Sequence, residues 1–498
     1  MSAWVLQVFV WAYLTSMMAA NWCIENSSKT NLTIGFMFPL FRKKRNGTQN
    51  TYERVHPSGF ERCVGALLAV DHINNAVSSI STVPPKLSDC IRIHPCVVKN
   101  SENLPYVGME RALEYVMQSH NQQLLQECDG NTVDAVVGPS GSSVSSKVSA
   151  ALGLFHVPSV SYAATASKLS NKVLFPYFLR TVPPDSHQAL VIVDILKTFS
   201  WNRVGIFYDK NDIYSDGLYQ SILSLFTDGG HKIETVAFEC GGGKDATLHG
   251  RVKVSGVRIF VSLMPTMETT VDVIRALVPD FFGHPDYVWI LSDAASSDGL
   301  IRAVRGDSGD TTRNVRGVLG VSPSEGLSSL HNVFVNELWR KTLSWENKTF
   351  QKLLDAVPPD AVDSLLTSFN SFEKVPNNKV PFAYDAVLVL AVAALKASTN
   401  ASYLAGTFKL SEVMMDIIKR RNNGTNIEFS GGLSGKVSID ADGDNVGGSY
   451  DIVNYQEDQS GTFVSMVTVA RWQLGKNQGF SRDAQGWHNN VTFYGGYI

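Results

Sequence analysis

The strongest constraint in this chain is a hydrophobic period that keeps changing. Short apolar runs suited to buried strands give way to stretches with one apolar face, and polar turns mark the changes. Leu32–Phe38 reads as a strand, and a helix follows from Gly59 with Phe60, Val64 and Leu67 on one face. Val133–Val137 reads as a second clear strand. It enters Gly138-Pro-Ser-Gly-Ser-Ser143 and then a helix striped by Val144, Val148, Leu152 and Phe155. Val157–Tyr162 is another strand, closed by the turn Ala163-Ala-Thr165. A second run begins with Val204–Tyr208, a helix from about Tyr214 to Phe226, and Lys232–Phe238. It goes on through Val257–Leu263, a helix around Thr269–Val278, and Tyr287–Ser292. Strands alternating with helices predict mostly parallel sheets covered on both faces, and two such runs predict two α/β lobes.

The 498 residues exceed one compact domain, and a hydrophobic fraction of 44% is enough for a globular core. Lys+Arg 43 against Asp+Glu 46 leaves a net charge of −3, which gives no drive toward nucleic acid. Met1–Leu14 is largely apolar and runs into Ala19-Ala20, so residues 1–20 read as a secretory signal peptide. Asn26, Asn31, Asn46, Asn347, Asn400, Asn423 and Asn490 head Asn-x-Ser/Thr sequons and are expected glycosylation sites. The expected location is therefore the secretory pathway, with the chain on the extracellular face of the plasma membrane or secreted. Ala386–Leu395 is apolar, but Asp385 and Lys396 bracket it at half the length of a membrane span, which makes it a buried helix.

Several short motifs resemble chemistry without completing it. Gly306-Asp-Ser-Gly-Asp310 suits a trypsin-like protease only in its first four residues and stands in an α/β chain. Arg305-Gly306-Asp307 is a short adhesion-like tripeptide. Asp440-x-Asp442-x-Asp444 lacks the glycine and the final glutamate of a calcium loop, so a hairpin turn is expected. Gly431-Gly-Leu-Ser-Gly-Lys436 is one residue short of a phosphate loop. Arg42-Lys-Lys-Arg45 suits either a processing site or a solvated loop. No CxxC pair or His-rich cluster points to a metal, no cofactor is implied, and no nucleophile, base and orienter converge, so an enzyme is not expected.

The polar turns carry more. Ligands of open α/β sheets sit beyond the C-terminal strand ends, where Ser142, Thr165, Tyr214 and Asp293 fall. Gly138–Ser143 places hydroxyls and N–H groups at a helix start, suited either to an anion or to plain capping by Ser142 or Ser143. Asp185 and Asp293 suit an ammonium group, and Thr165 and Tyr214 add hydroxyls. Together these features match a zwitterion, a free α-amino acid.

Val136-Val-Gly-Pro-Ser-Gly-Ser-Ser-Val144, Pro158-Ser-Val-Ser-Tyr-Ala-Ala-Thr165, Leu169-Ser-Asn-Lys172, Phe178-Leu-Arg-Thr-Val-Pro-Pro-Asp185 and Trp201-x-x-Val204 resemble the extracellular ligand-binding domain of class C G-protein-coupled receptors. Ala383-Tyr-Asp-Ala-Val387, Gly435-Lys-Val-x-x-Asp440 and Tyr450-Asp-Ile-x-Asn454 extend the resemblance over about residues 31 to 475. The pattern is that of metabotropic glutamate receptors, with GABA-B and natriuretic-peptide receptor ectodomains as relatives. It implies a two-lobed Venus-flytrap of the type I periplasmic-binding-protein kind, with three crossover strands at the hinge. Lobe one would comprise 24–180 and 323–451, and lobe two 181–322 and 452–498.

The resemblance also implies roles. Ser142 holds the ligand α-carboxylate, Thr165 contacts its amino and carboxylate groups, and Asp185, Tyr214 and Asp293 hold the ammonium. Ala163 stands where the family has a serine, and its backbone N–H remains to serve the carboxylate. Val55 stands where an arginine would read a distal carboxylate, so glutamate itself is not implied. The family further implies a Cys63–Cys96 bridge. Leu154 and Phe155 match a dimer-forming surface and equally suit core packing. A homo- or heterodimer through lobe one is expected, with a G protein reached only through a membrane region outside this chain. Other receptors of the same fold, of the guanylyl-cyclase or GABA-B type, and a secreted solute-binding protein are the alternatives.

Overall fold

The computed structural model describes residues 29–43, 52–75, 87–118, 122–228, 233–241, 245–297, 299–305, 315–325, 329–339, 353, 356–358, 376–419, 427–457, 464–473, 491–493 and 496–497. The signal-like segment, the Gly306–Asp310 motif, the end of the Arg42–Arg45 run, and Asn26, Asn46, Asn347, Asn423 and Asn490 lie outside them.

The first run begins with β1 (Thr30–Phe38), helix α1 (Pro57–Asn74) and β2 (Ile91–Asn100). Next come α2 (Pro105–Val116), β3 (Ala135–Val137), α3 (Ser142–Gly153), β4 (Ser159–Ser161) and β5 (Phe178–Arg180). The second run holds α4 (Asp185–Thr198), β6 (Arg203–Tyr208), α5 (Ile213–Asp228), β7 (Glu234–Glu239) and α6 (Leu248–Ser255). It continues through β8 (Ile259–Ser262), α7 (Met267–Leu277), β9 (Val288–Leu291) and β10 (Leu319–Pro323). The C-terminal part adds α8 (Val380–Ser398), α9 (Leu410–Lys419), the strands β11 (Ile427–Gly432) and β12 (Gly435–Ile439), and finally β13 (Ser449–Glu457) and β14 (Val464–Gln473).

Two compact units result. One comprises Met1–Ala164, Leu169–Val182 and Glu325–Gly447, and the other Thr165–Lys168, Pro183–Ser324 and Gly448–Ile498. The first unit holds a sheet in the order β2-β1-β3-β4-β5, parallel throughout. Its residues alternate between two cores, as strand geometry requires. Leu32, Ile34, Phe36 and Phe38 join one core with residues of α1 and α8. Met37 faces the other, with residues of α2 and α3. The apolar segment flagged in the sequence is part of α8, buried along nearly its whole length.

β2 escaped the sequence reading because Pro95 and the polar residues His94, Lys99 and Asn100 dilute its pattern. It lies at the sheet edge, where a proline costs no ladder bond.

The Cys63–Cys96 bridge is not formed. Cys96 pairs with Cys128, and Cys63 is a free, buried thiol. The reason is the sheet itself. Cys63 projects from α1 into the core on one face, whereas Cys96 and Cys128 belong to the cluster on the other. Burial raises the Cys63 thiol well above its ordinary value. Cys90 is also disulfide-bonded.

The second unit holds a seven-stranded sheet in the order β14-β13-β10-β9-β8-β6-β7. The five from β10 to β7 are parallel, and β13 and β14 return antiparallel along one edge. Its core is aromatic: Phe207 stacks on Phe238 and on Trp289, with centroids 4.9 and 5.2 Å apart.

Both cation-loop and phosphate-loop motifs are structural turns. Gly431–Lys436 spans the antiparallel β11–β12 turn. Asp440 Oδ1 accepts the N–H groups of Asp442 and Asp444 at 2.9 Å, and Asp444 pairs with Arg180 at 2.8 Å.

Candidate ligand-binding site

In the first unit the candidate residues sit on two turns at the C-terminal ends of β3 and β4. Gly138 ends β3 with φ +103°, a conformation that favours glycine, and a Cβ there would strike the Met37 carbonyl. The chain then reaches α3, whose cap position is Gly141, with no side-chain capping bond. Ser142 is thus the first helical residue and is largely buried. The turn after β4 is closed by Ser161. Its hydroxyl donates to the Pro139 carbonyl at 2.6 Å and accepts the Ala163 and Ala164 N–H groups at 3.3 and 2.9 Å. The Ala163 N–H expected to serve a ligand is therefore directed at Ser161.

In the second unit four expected residues come together. Thr165, 1% exposed, accepts the Asp185 N–H on its carbonyl at 2.8 Å. Its own N–H and Oγ1 meet no protein partner among the described residues. Asp185 opens α4 directly after Pro183-Pro184, where the helix dipole favours a carboxylate. Asp293 follows β9. Tyr214 lies in the first turn of α5, whose N–H groups at Tyr214 and Ser215 are capped by Asp212 Oδ1 at 2.9 and 3.0 Å. The Tyr214 hydroxyl donates to Asp293 Oδ1 at 2.8 Å. Burial, and then the charges of Asp293 and Asp185, push the Tyr214 phenol well above its ordinary value, so it remains a donor.

Gln188 is the residue the sequence reading missed. Its Nε2 donates to Asp185 Oδ1 at 2.9 Å and to Asp293 Oδ1 at 3.1 Å, while its Oε1 accepts the Asp293 N–H at 2.9 Å. One amide, itself fully buried, holds two carboxylates contributed by different elements. The available signal was the spacing Asp185 to Gln188, three apart on one helix face. The link to Asp293, 105 positions further on, left no local trace.

The parallel α/β units, with polar turns gathered at strand ends, define a periplasmic-binding-protein-like ligand-binding region. The model of the receptor family ligand binding region matches residues 66–458, and the chain belongs to that family. Among individual relatives, it is 32% identical over 203 residues to the metabotropic glutamate receptor of Drosophila melanogaster, covering 38% of this chain and 19% of that protein. It is 26% identical over 377 residues to the extracellular calcium-sensing receptor of Sus scrofa, covering 66% of this chain and 32% of that one. It is 31% identical over 218 residues to metabotropic glutamate receptor 6 of Mus musculus, covering 40% and 23%. These are class C G-protein-coupled receptors. The chain spans about a fifth to a third of their length.

Proposed function

We propose that this chain is the extracellular, amino-acid-sensing part of a class C receptor. Its ligand is a free α-amino acid. Ser142, at the start of α3, and Thr165 serve the carboxylate; Asp185, Tyr214 and Asp293 serve the ammonium. The observation that carries the reading is the assembly of Asp185, Asp293 and Tyr214 around the Gln188 amide. Two carboxylates held by one amide, with a phenol donating to one of them, form a negative, hydrogen-bond-rich cluster suited to a compact cation. The uncommitted N–H and hydroxyl of Thr165 supply donors for the opposite charge. Ala163 has no part in the grip, since its N–H is taken by Ser161. Val55 is consistent with an amino acid other than glutamate.

Ligand binding acts by closing the two lobes on each other, and the ligand stabilises the closed state by its additional contacts there. The domain enters the secretory pathway after removal of residues 1–20, is glycosylated at the seven sequons, and dimerises through lobe one. Leu154 and Phe155, 80% and 45% exposed, are consistent with that dimer face rather than with core packing.

Calorimetric titration of the secreted domain with each of the twenty L-amino acids, with and without calcium, tests the reading. At least one amino acid should bind without calcium, and Thr165→Ala and Asp293→Ala should each weaken it more than tenfold while secretion is retained. Heat from calcium alone, or wild-type affinity in both variants, would refute the assignment.

A further inference from the structure

Arg180, the last residue of β5, is fully buried in the first unit. Its guanidinium reaches three elements at once. Nε donates to Asp444 Oδ1 at 2.8 Å, Nη2 to Ser170 Oγ at 2.6 Å, and Nη1 to the Ala164 carbonyl at 3.3 Å. The anchor is itself fixed: the Arg180 N–H donates to the Gly443 carbonyl at 2.9 Å, and Ser170 Oγ also donates to Asp444 Oδ2 at 2.7 Å. The planar fork of arginine holds its donors on separate nitrogens in a fixed geometry, whereas a lysine ammonium carries its three donors on one rotating nitrogen.

Ala164 is the residue between Ala163 and Thr165. The Ala164–Thr165 peptide is trans, so its C=O and N–H point in opposite directions. A guanidinium that fixes the carbonyl therefore fixes where the Thr165 N–H points. On the other side of the same turn, Ser161 Oγ takes the Ala163 and Ala164 N–H groups. Of the successive N–H groups at 163, 164 and 165, two are consumed internally and one is left to be aimed.

We propose that Arg180 is a positioning residue for ligand recognition: held by Asp444 and Ser170, it locks the Ala164–Thr165 peptide plane and aims the Thr165 N–H at the ligand carboxylate. This inference rests on the amino-acid reading given above. Arg180 makes no ligand contact of its own. A loose peptide plane would have to be ordered on binding, and ordering opposes affinity.

The test compares the full chain with the double variant Arg180→Met/Asp444→Leu. Removing Arg180 alone would strand a buried carboxylate and threaten folding, whereas replacing both partners with apolar residues of similar volume is commonly tolerated. The double variant should keep a near-wild-type melting temperature. It should bind the preferred amino acid, found by titrating all twenty L-amino acids, about tenfold more weakly, the loss expected for one misaimed bond to a charged group. Amide hydrogen exchange over residues 163–166 should quicken at least tenfold. Ser170→Ala, which removes one of the two groups holding Arg180 and leaves the Arg180–Ala164 bond in place, should weaken binding by less than the double variant does.

A folded double variant with unchanged affinity would overturn the proposal. If the wild-type chain bound none of the twenty, the functional reading would fall separately, and exchange at 163–166 would still decide whether Arg180 holds the turn. Unchanged exchange would overturn it.

Discussion

Replacing Gln188 with leucine is the sharpest perturbation of the acidic site, because it keeps the side-chain bulk and removes one amide. Three hydrogen bonds disappear: those to Asp185 Oδ1 and Asp293 Oδ1, and the one from the Asp293 N–H. Gln188 and Asp185 are fully buried and Asp293 is 8% exposed, so water replaces little of what is lost. Bonds to ionised groups contribute roughly 1.5–3 kcal/mol each, and partners that share one side chain do not add independently. About 3 kcal/mol is a reasonable total. For a cooperative unit of this size that corresponds to a fall of roughly 6–12 °C in Tm. Differential scanning calorimetry measures it, and amino-acid titration should show a parallel loss of affinity, since the two carboxylates would no longer hold their spacing. Gln188→Glu supplies the contrast. A third carboxylate beside Asp185 and Asp293 has its folded pKa raised, so its stability contribution is present below about pH 4 and lost as pH rises. That variant should be closer to wild type at pH 4 than at pH 7. A Gln188→Leu chain with unchanged Tm and affinity would refute the view that this amide organises the site.

Other outcomes follow from the two units. The Cys96–Cys128 bridge closes a separation of 32 residues, so its removal by a double Cys→Ser change should cost about 3.5–4 kcal/mol in the loop-entropy description; peptide mapping should find this pair linked and Cys63 alkylated only after unfolding. Burial raises Asp385 to about 6, against the lowering effect of hydrogen bonds from Ser434 and Leu433. Because the folded value lies above the unfolded one, its contribution is complete below about pH 4 and lost as pH climbs through 6, worth on the order of 3 kcal/mol. Asp134, also raised to about 6 by burial, acts in the same window, so Asp385→Asn should flatten the stability profile between pH 4 and 7 without levelling it. Leu154→Asp should leave Tm nearly unchanged, since that side chain is 80% exposed, and should shift the domain toward monomer in sedimentation velocity; an unaltered dimer would remove this face from the interface.

Much of the fold was legible because its signals are local. Alternating periods marked β1, β3, β4, β6, β7, β8 and β9, and the turn residues marked where each strand stopped. The elements that were missed fail for physical reasons. β2 is an edge strand whose mixed composition hides the period, and the Cys63 pairing depended on which face of a sheet each cysteine meets. Side-chain types at strand ends pointed to Thr165, Asp185, Tyr214 and Asp293. Their hydrogen-bonded order did not follow from those types, nor did the loss of the Ala163 N–H to Ser161.

The sequence by itself determined the architecture, because hydrophobic period, turn chemistry and strand propensity act over a few residues and can be read in place. Only the tertiary structure decided that Gln188 joins two acids, that Arg180 reaches Ala164, Ser170 and Asp444, and that Cys96 finds Cys128. Those choices rest on distances of a few ångströms between positions far apart in the chain, and hydrogen bonds and disulfides are too short-ranged to leave a mark before the sheets bring their ends together.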